Sequence, residues 1–141
     1  MLVLDHVSFD APFPEDYEPD GSPPGRPLAE AIHAALMKRD VQCDPLDESD
    51  YAYSFRASSA GTTGLLMIGH VGDVDGRQWL VFVDAGKAGG LFRRKPRDAS
   101  PIVQALHEVV VEDLGVPPQW FSEQQWNDSS HGRGQPTPQE S

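Results

Sequence analysis

The chain has 141 residues, 22 acidic against 11 basic side chains, a formal net charge of −11 and 38% hydrophobic residues. That length makes one domain with room for a buried core. The negative balance argues against a free nucleic-acid ligand, which needs a basic surface.

In chain order, Leu2 to Phe9 is a candidate short strand, with Val3, Val7 and Phe9 on one face. From Ala11 to Pro27 the chain holds six prolines together with Glu15, Asp16, Glu18 and Asp20. Proline fixes φ and removes donors, so 11–27 reads as an extended acidic loop, with Phe13 and Tyr17 as its anchors on the body. Pro27 suits the first turn of a helix. Leu28, Ile32, Ala35 and Leu36 then recur at helical spacing, which predicts an amphipathic helix facing a sheet. Asp40 to Asp50 is an acidic loop.

Tyr51 to Asp84 reads as a three-stranded meander. Tyr51, Tyr53 and Phe55 alternate with Ala52, Ser54 and Arg56, the period of a half-buried strand. Ser58 to Gly64 is read as a flexible connection of small residues. Leu65-Leu66-Met67-Ile68 forms the second strand. Trp79, Val81 and Val83 alternate with Leu80 and Phe82, so the third is apolar on both faces. Asp73-Val74-Asp75-Gly76 is turn chemistry between the last two. Five of the basic residues lie between Lys87 and Arg97. Ser100 and Pro101 open a second helix whose apolar stripe runs Ile102, Val103, Leu106, Val109, Val110 and Leu114, and Gly115 and Pro117 stop it. Trp120, Phe121 and Trp126 form an aromatic cluster after it.

These elements predict an α+β fold: a three- to four-stranded antiparallel meander packed in two layers against two helices. Residues 1–126 make the single domain, and the polar stretch 127–141 is expected to be a disordered tail.

The usual chemical motifs fail. Gly86-Lys87 is followed by Ala88, and Val81 stands where a phosphate loop needs glycine. Asp73-x-Asp75-Gly76 resembles the start of a calcium loop, but Gln78 and Asp84 occupy the places of its glycine and glutamate. No cofactor and no metal are expected. His70, His107 and Asp84 would form an acid–base group only if the second helix packed to bring them together. Cys43 is the only cysteine, so no intramolecular disulfide is available. The acidic start Met1 to Asp5 is unlike a signal peptide, and no apolar run approaches the ~20 residues of a membrane span. A soluble, cytoplasmic protein with no membrane partner is expected.

The layout of Leu28 to Leu36, Tyr51 to Phe55, Gln78 to Val83 and Ile102 to Leu114, with the overall acidity, resembles that of small acidic bacterial immunity proteins. The resemblance spans about Leu28 to Trp126. It implies a non-enzymatic inhibitor that neutralises a cognate, basic toxin domain through an acidic surface. Charge then places the contact at Asp44, Asp47, Glu48 and Asp50 or at Asp73 and Asp75, and aromatic character adds Trp120 as an anchor. Two alternatives stay open. One is a secretion chaperone that cradles an exported effector as a homodimer rather than a monomer. The other is a small enzyme built on His70, His107 and Asp84.

Overall fold

The computed structural model describes residues 4–14, 19–49, 51–71, 78–84, 100–127 and 134–138. The turn at Asp73 to Gly76, the basic run Arg93 to Arg97, Tyr17, Asp50 and His131 lie outside the described residues.

Strand β1 is His6–Phe9, followed by helix α1, Arg26–Lys38. Two short strands, β2 (Gln42–Cys43) and β3 (Asp47–Glu48), precede the long hairpin of β4 (Ala52–Ser59) and β5 (Thr62–His70). Strand β6 is Trp79–Asp84, α2 is Ser100–Glu108, β7 is Gln119–Phe121 and α3 is Glu123–Asn127. The fold is α+β, as expected. The sheet is larger than expected: its seven strands among the described residues replace the anticipated three or four. All pairings are antiparallel, in the order β2-β4-β5-β6-β1-β7, with β3 beside β2 on the outer side of β4.

The meander forms the middle of the sheet. Tyr53 pairs with Ile68 and Phe55 with Leu66, and Ile68 and Leu66 pair in turn with Val81 and Val83. Directly opposed residues share a face, so this row continues through Val7, paired with Val81, to Trp120, paired with Val7. All of these side chains are buried. Both helices lie over this face. A side chain at Gly64 would meet Ile102 of α2 at 3.5 Å, and His33 of α1 stands edge-on to Phe55. The core therefore forms where Leu28, Ile32, Leu36, Ile102, Leu106 and Val110 meet the sheet.

The other face is apolar at its centre too, as the alternation in β6 requires. Phe82 carries the His6 ring stacked on it at 4.9 Å, and Leu80 is buried beside Ser8.

Three parts of the chain differ from the sequence expectation. The stretch Ser58 to Gly64 is mostly ladder: Ser59 pairs with Thr62, and only Ala60 and Gly61 make the turn. Both have positive φ, 51° and 78°, the two-residue geometry that matches strand twist. The second helix widens after Glu108 into a π turn over Val109–Asp113, where the Leu114 N–H reaches the Val109 carbonyl at 2.9 Å. Finally, residues 134–138 of the expected tail return to the sheet. Gln135 exchanges two backbone hydrogen bonds with Trp120, at 2.7 and 3.0 Å, and the Leu4 N–H reaches the Pro138 carbonyl at 2.6 Å.

The proline-rich arm also packs. Ala11 and Ser22 are buried. The Trp79 indole donates to the Ala11 carbonyl at 3.1 Å, and the Tyr53 hydroxyl donates to the Pro23 carbonyl at 2.8 Å. Gly25, at φ 109°, lets the chain turn into α1 against Trp79, whose ring a Cβ would approach to 3.1 Å. The arm thus closes one end of the core and supplies acceptors for two buried aromatic donors.

Candidate functional site

The acidic loop between α1 and β4 is built against the sheet edge. Asp44 donates its backbone N–H to Arg56 at 2.9 Å, and its carbonyl accepts from Nε2 of His33 at 2.8 Å. The loop is therefore clamped on both sides, and the Asp44 side chain points outward from a fixed backbone. Asp47 is also exposed and uses Oδ1 to accept the Glu48 N–H at 3.0 Å. Ser49 closes a tight turn onto Ala52 through its N–H and its hydroxyl, at 2.9 and 3.1 Å. Within that turn Tyr51 is 71% exposed, about 10 Å along the strand from the level of Asp47 and about 16 Å from that of Asp44. Sequence periodicity had placed Tyr51 inside the strand. It stands instead one residue outside it, as an exposed aromatic side chain at the end of the acidic edge.

Glu48 is a different case. Its carboxylate receives the Arg26 guanidinium and the Ser22 hydroxyl, and Arg26 lies 5.5 Å over the Tyr53 ring. Glu48 thus holds the proline-rich arm and the start of α1 to the sheet edge. Asp50, Asp73 and Asp75 lie outside the described residues. Trp120 is fully buried under α2, so its ring presents no surface for a partner.

The alternative acid–base group is not assembled. His70 and Asp84 stand at opposite ends of the β5–β6 ladder, His70 opposite Trp79 and Asp84 opposite Leu65. Five residues of strand separate Trp79 from Asp84, ~16 Å at the usual rise. The two also face opposite sides of the sheet, because Trp79 and Asp84 differ by an odd number of residues. His70 packs edge-on to Trp79 at 4.9 Å. His107 lies over β7, where its Nδ1 accepts the Trp120 indole N–H at 3.0 Å. Burial pushes the His107 imidazole below its ordinary range, against the opposing pull of Glu108 and Glu112.

One constellation escaped sequence reading: Asp5, His6 and Ser8. Asp5 Oδ1 lies 2.9 Å from His6 Nδ1, and Ser8 shares the face of His6. It does not make a nucleophile. Ser8 is fully buried and its hydroxyl has no hydrogen-bond partner, so the base-to-nucleophile contact is missing. Among the described residues no group of three or more His, Cys, Asp or Glu is placed to hold a metal ion, and no helix is long and apolar enough to cross a membrane.

The fold and surface together define an α+β protein with a continuous seven-stranded antiparallel sheet among its described residues and an exposed acidic edge with Tyr51 at its end. No protein-family model matches the chain, and neither does any curated protein or solved structure.

Proposed function

We propose that this chain is a non-enzymatic protein-binding inhibitor, an immunity protein that neutralises a cognate bacterial toxin in the cytoplasm by engaging a basic domain. In this reading the helices and one sheet face form a two-layer body, and the edge at β2 and β3 is the contact surface. The observation that carries it is the outer edge of β4, along which Asp44 and Asp47 are exposed and at whose end Tyr51 is 71% exposed. Carboxylates along an exposed edge steer a cationic partner toward it, and an exposed aromatic ring at its end offers a contact of the kind that anchors interfaces. Residues 1–50 carry 12 acids against three bases, so most of the net charge lies in the first third of the sequence, which includes β2 and β3.

The test is isolation of the chain with its native partner, followed by inhibition assays on that partner. A stoichiometric basic protein whose toxic activity the chain blocks supports the reading. The variant Asp44→Lys/Asp47→Lys/Tyr51→Ala should then weaken inhibition by at least about tenfold, with a shallower salt dependence. Glu48 is left intact because it holds the arm in place. Equal inhibition by the variant removes this edge from the interface. A partner whose activity is untouched by the chain sinks the inhibitor reading altogether.

A further inference from the structure

The hydrogen bond between His107 and Trp120 has a fixed direction. An indole N–H only donates, so Nδ1 of His107 must be an unprotonated acceptor and the ring must be the neutral Nε2–H tautomer. Protonation of the ring removes that acceptor and sets a cation against the indole N–H. Trp120 is fully buried, so its donor finds no water in exchange.

Trp120 is also the residue on which the C-terminal part of the sheet depends. Its neighbour on one side is Val7 of β1, and on the other it is Gln135. Residues 134–138 are held by the reciprocal Trp120–Gln135 pair, by the Leu4–Pro138 bond and by the Gly134 N–H to Gln119 Oε1 at 3.2 Å. Gly134 lies flat on Phe121: a Cβ there would come within 2.8 Å of the ring. This segment is thus an edge piece joined to the sheet by a single bridge at Gln135, resting on the register of a three-residue strand, and the indole of the central residue of that strand ties it to α2.

We propose that the His107–Trp120 bond is an acid-sensitive latch, whose opening on protonation of His107 releases residues 134–138 and uncovers the outer edge of β7. Among the described residues the ionisable groups that act on His107 are Glu108 and Glu112. Arg39, from the end of α1, holds both, at 3.1 and 3.3 Å. Neither β7 nor residues 134–138 contribute an ionisable side chain. In the closed state burial disfavours the charged ring, which lowers its proton affinity relative to the open state. The latch is therefore fully closed above the ordinary histidine value of about 6.5. It loosens as the pH falls below that value and through the lowered one. The uncovered β7 edge would offer unpaired N–H and C=O groups of Trp120, the feature by which extended segments add to a sheet.

The experiment is nuclear magnetic resonance of the full chain at about pH 7.5 and about pH 5, reading amide protection factors at Trp120 and Gln135, the Trp120 indole proton and the His107 ring. Protection at Gln135 should fall by about tenfold or more, in step with His107 titration. The variant His107→Gln, which keeps an acceptor that does not titrate, should retain protection at the lower pH. Equal protection at both pH values in the wild type, or the same loss in His107→Gln, overturns the latch. If His107→Gln fails to fold, Trp120→Phe provides the second reading. Without the indole donor the protection at Gln135 should lose its pH dependence, and a dependence that persists overturns the proposal.

Discussion

The Tyr53 hydroxyl donates to the carbonyl of Pro23 at 2.8 Å across the interface between the sheet and the proline-rich arm. Tyr53 sits on the buried face, and Pro23 stands two residues before Gly25, the glycine that starts α1. The bond is therefore the point at which an extended acidic arm becomes part of the core. Tyr53→Phe keeps the ring and removes the donor, leaving a buried carbonyl without it. The expected loss is about 1–3 kcal/mol, measured by urea unfolding. An unchanged midpoint would mean that water replaces the hydroxyl and that the arm is held by packing alone.

The middle of this structure was legible because it is periodic. Tyr53 and Phe55, Leu66 and Ile68, and Trp79, Val81 and Val83 announce buried strand faces, and Ile32, Leu36, Ile102 and Leu106 announce helices. The edges were not. Strands β2 and β3 have two residues each, too few to show a period. Strand β7 follows two prolines, and its partner Gln135 lies in a stretch that composition marks as tail. The hairpin at Ala60 was hidden because an alanine takes a left-handed position where glycine or asparagine would have signalled it. The arm reads in the sequence only as an extended loop anchored at Phe13 and Tyr17, because its other reasons for packing are long-range: Tyr53 and Trp79 each need an acceptor, and local composition carries no trace of that need. The capping pair at Ser122 and Gln125 was a visible signal that went unread. Each accepts the other's backbone N–H, at 3.1 and 2.9 Å, which starts α3 and sets Trp126 against Phe121. Of the candidate site, the acidic residues were visible as composition. Their division into the outward Asp44 and Asp47 and the inward-bonded Glu48 required the fold.

Cys43 lies on β2 with its thiol half-buried and directed to the Val41 carbonyl at 3.7 Å. Burial, with the adjacent Asp44 charge adding to it, pushes the thiol up to about 11. The reactive thiolate is therefore scarce at neutral pH. Alkylation by iodoacetamide at about pH 7.5 should run more than about tenfold slower than for a free cysteine, and it should reach the free rate on unfolding in urea. Rapid modification of the folded chain would show the thiol to be exposed. Asp44→Asn should make the folded chain react somewhat faster, because it removes the smaller of the two causes.

Arg39 joins the end of α1 to the π turn, with Nη1 on Glu108 and Nη2 on Glu112 and Asp113, at 3.1, 3.3 and 2.9 Å. All three carboxylates are substantially solvent-exposed, so the network contributes only about 1 kcal/mol. Its larger effect is electrostatic. Arg39→Met leaves Glu108 and Glu112 uncompensated beside His107 and favours the imidazolium. The His107 titration should move to higher pH in this variant. Loss of the Gln135 backbone bond should move with it, both followed by nuclear magnetic resonance. The shift should shrink in high salt, where the carboxylates are screened. A titration that does not move would show that Glu108 and Glu112 do not act on the ring.

Asp40 follows α1 with φ at 64°. The Val41 N–H reaches back to the Leu36 carbonyl at 3.1 Å and the Asp40 N–H to the Met37 carbonyl at 3.3 Å. This is the paired closure of a helix by a left-handed residue, and the buried Val41 and Leu36 provide the apolar contact that accompanies it. Glycine is the residue this position favours, because it has no Cβ to strain. Asp40→Gly should therefore stabilise the fold by about 0.5–1 kcal/mol, the relief of strain outweighing the added freedom of the unfolded chain. Asp40→Val, with a branched side chain in the same conformation, should destabilise it by about 1–2 kcal/mol. Thermal unfolding distinguishes the two by the sign of the change in Tm. If both variants destabilise, the Asp40 side chain contributes a bond worth more than the strain it carries. If neither changes Tm, the helix end relaxes out of the left-handed conformation without cost.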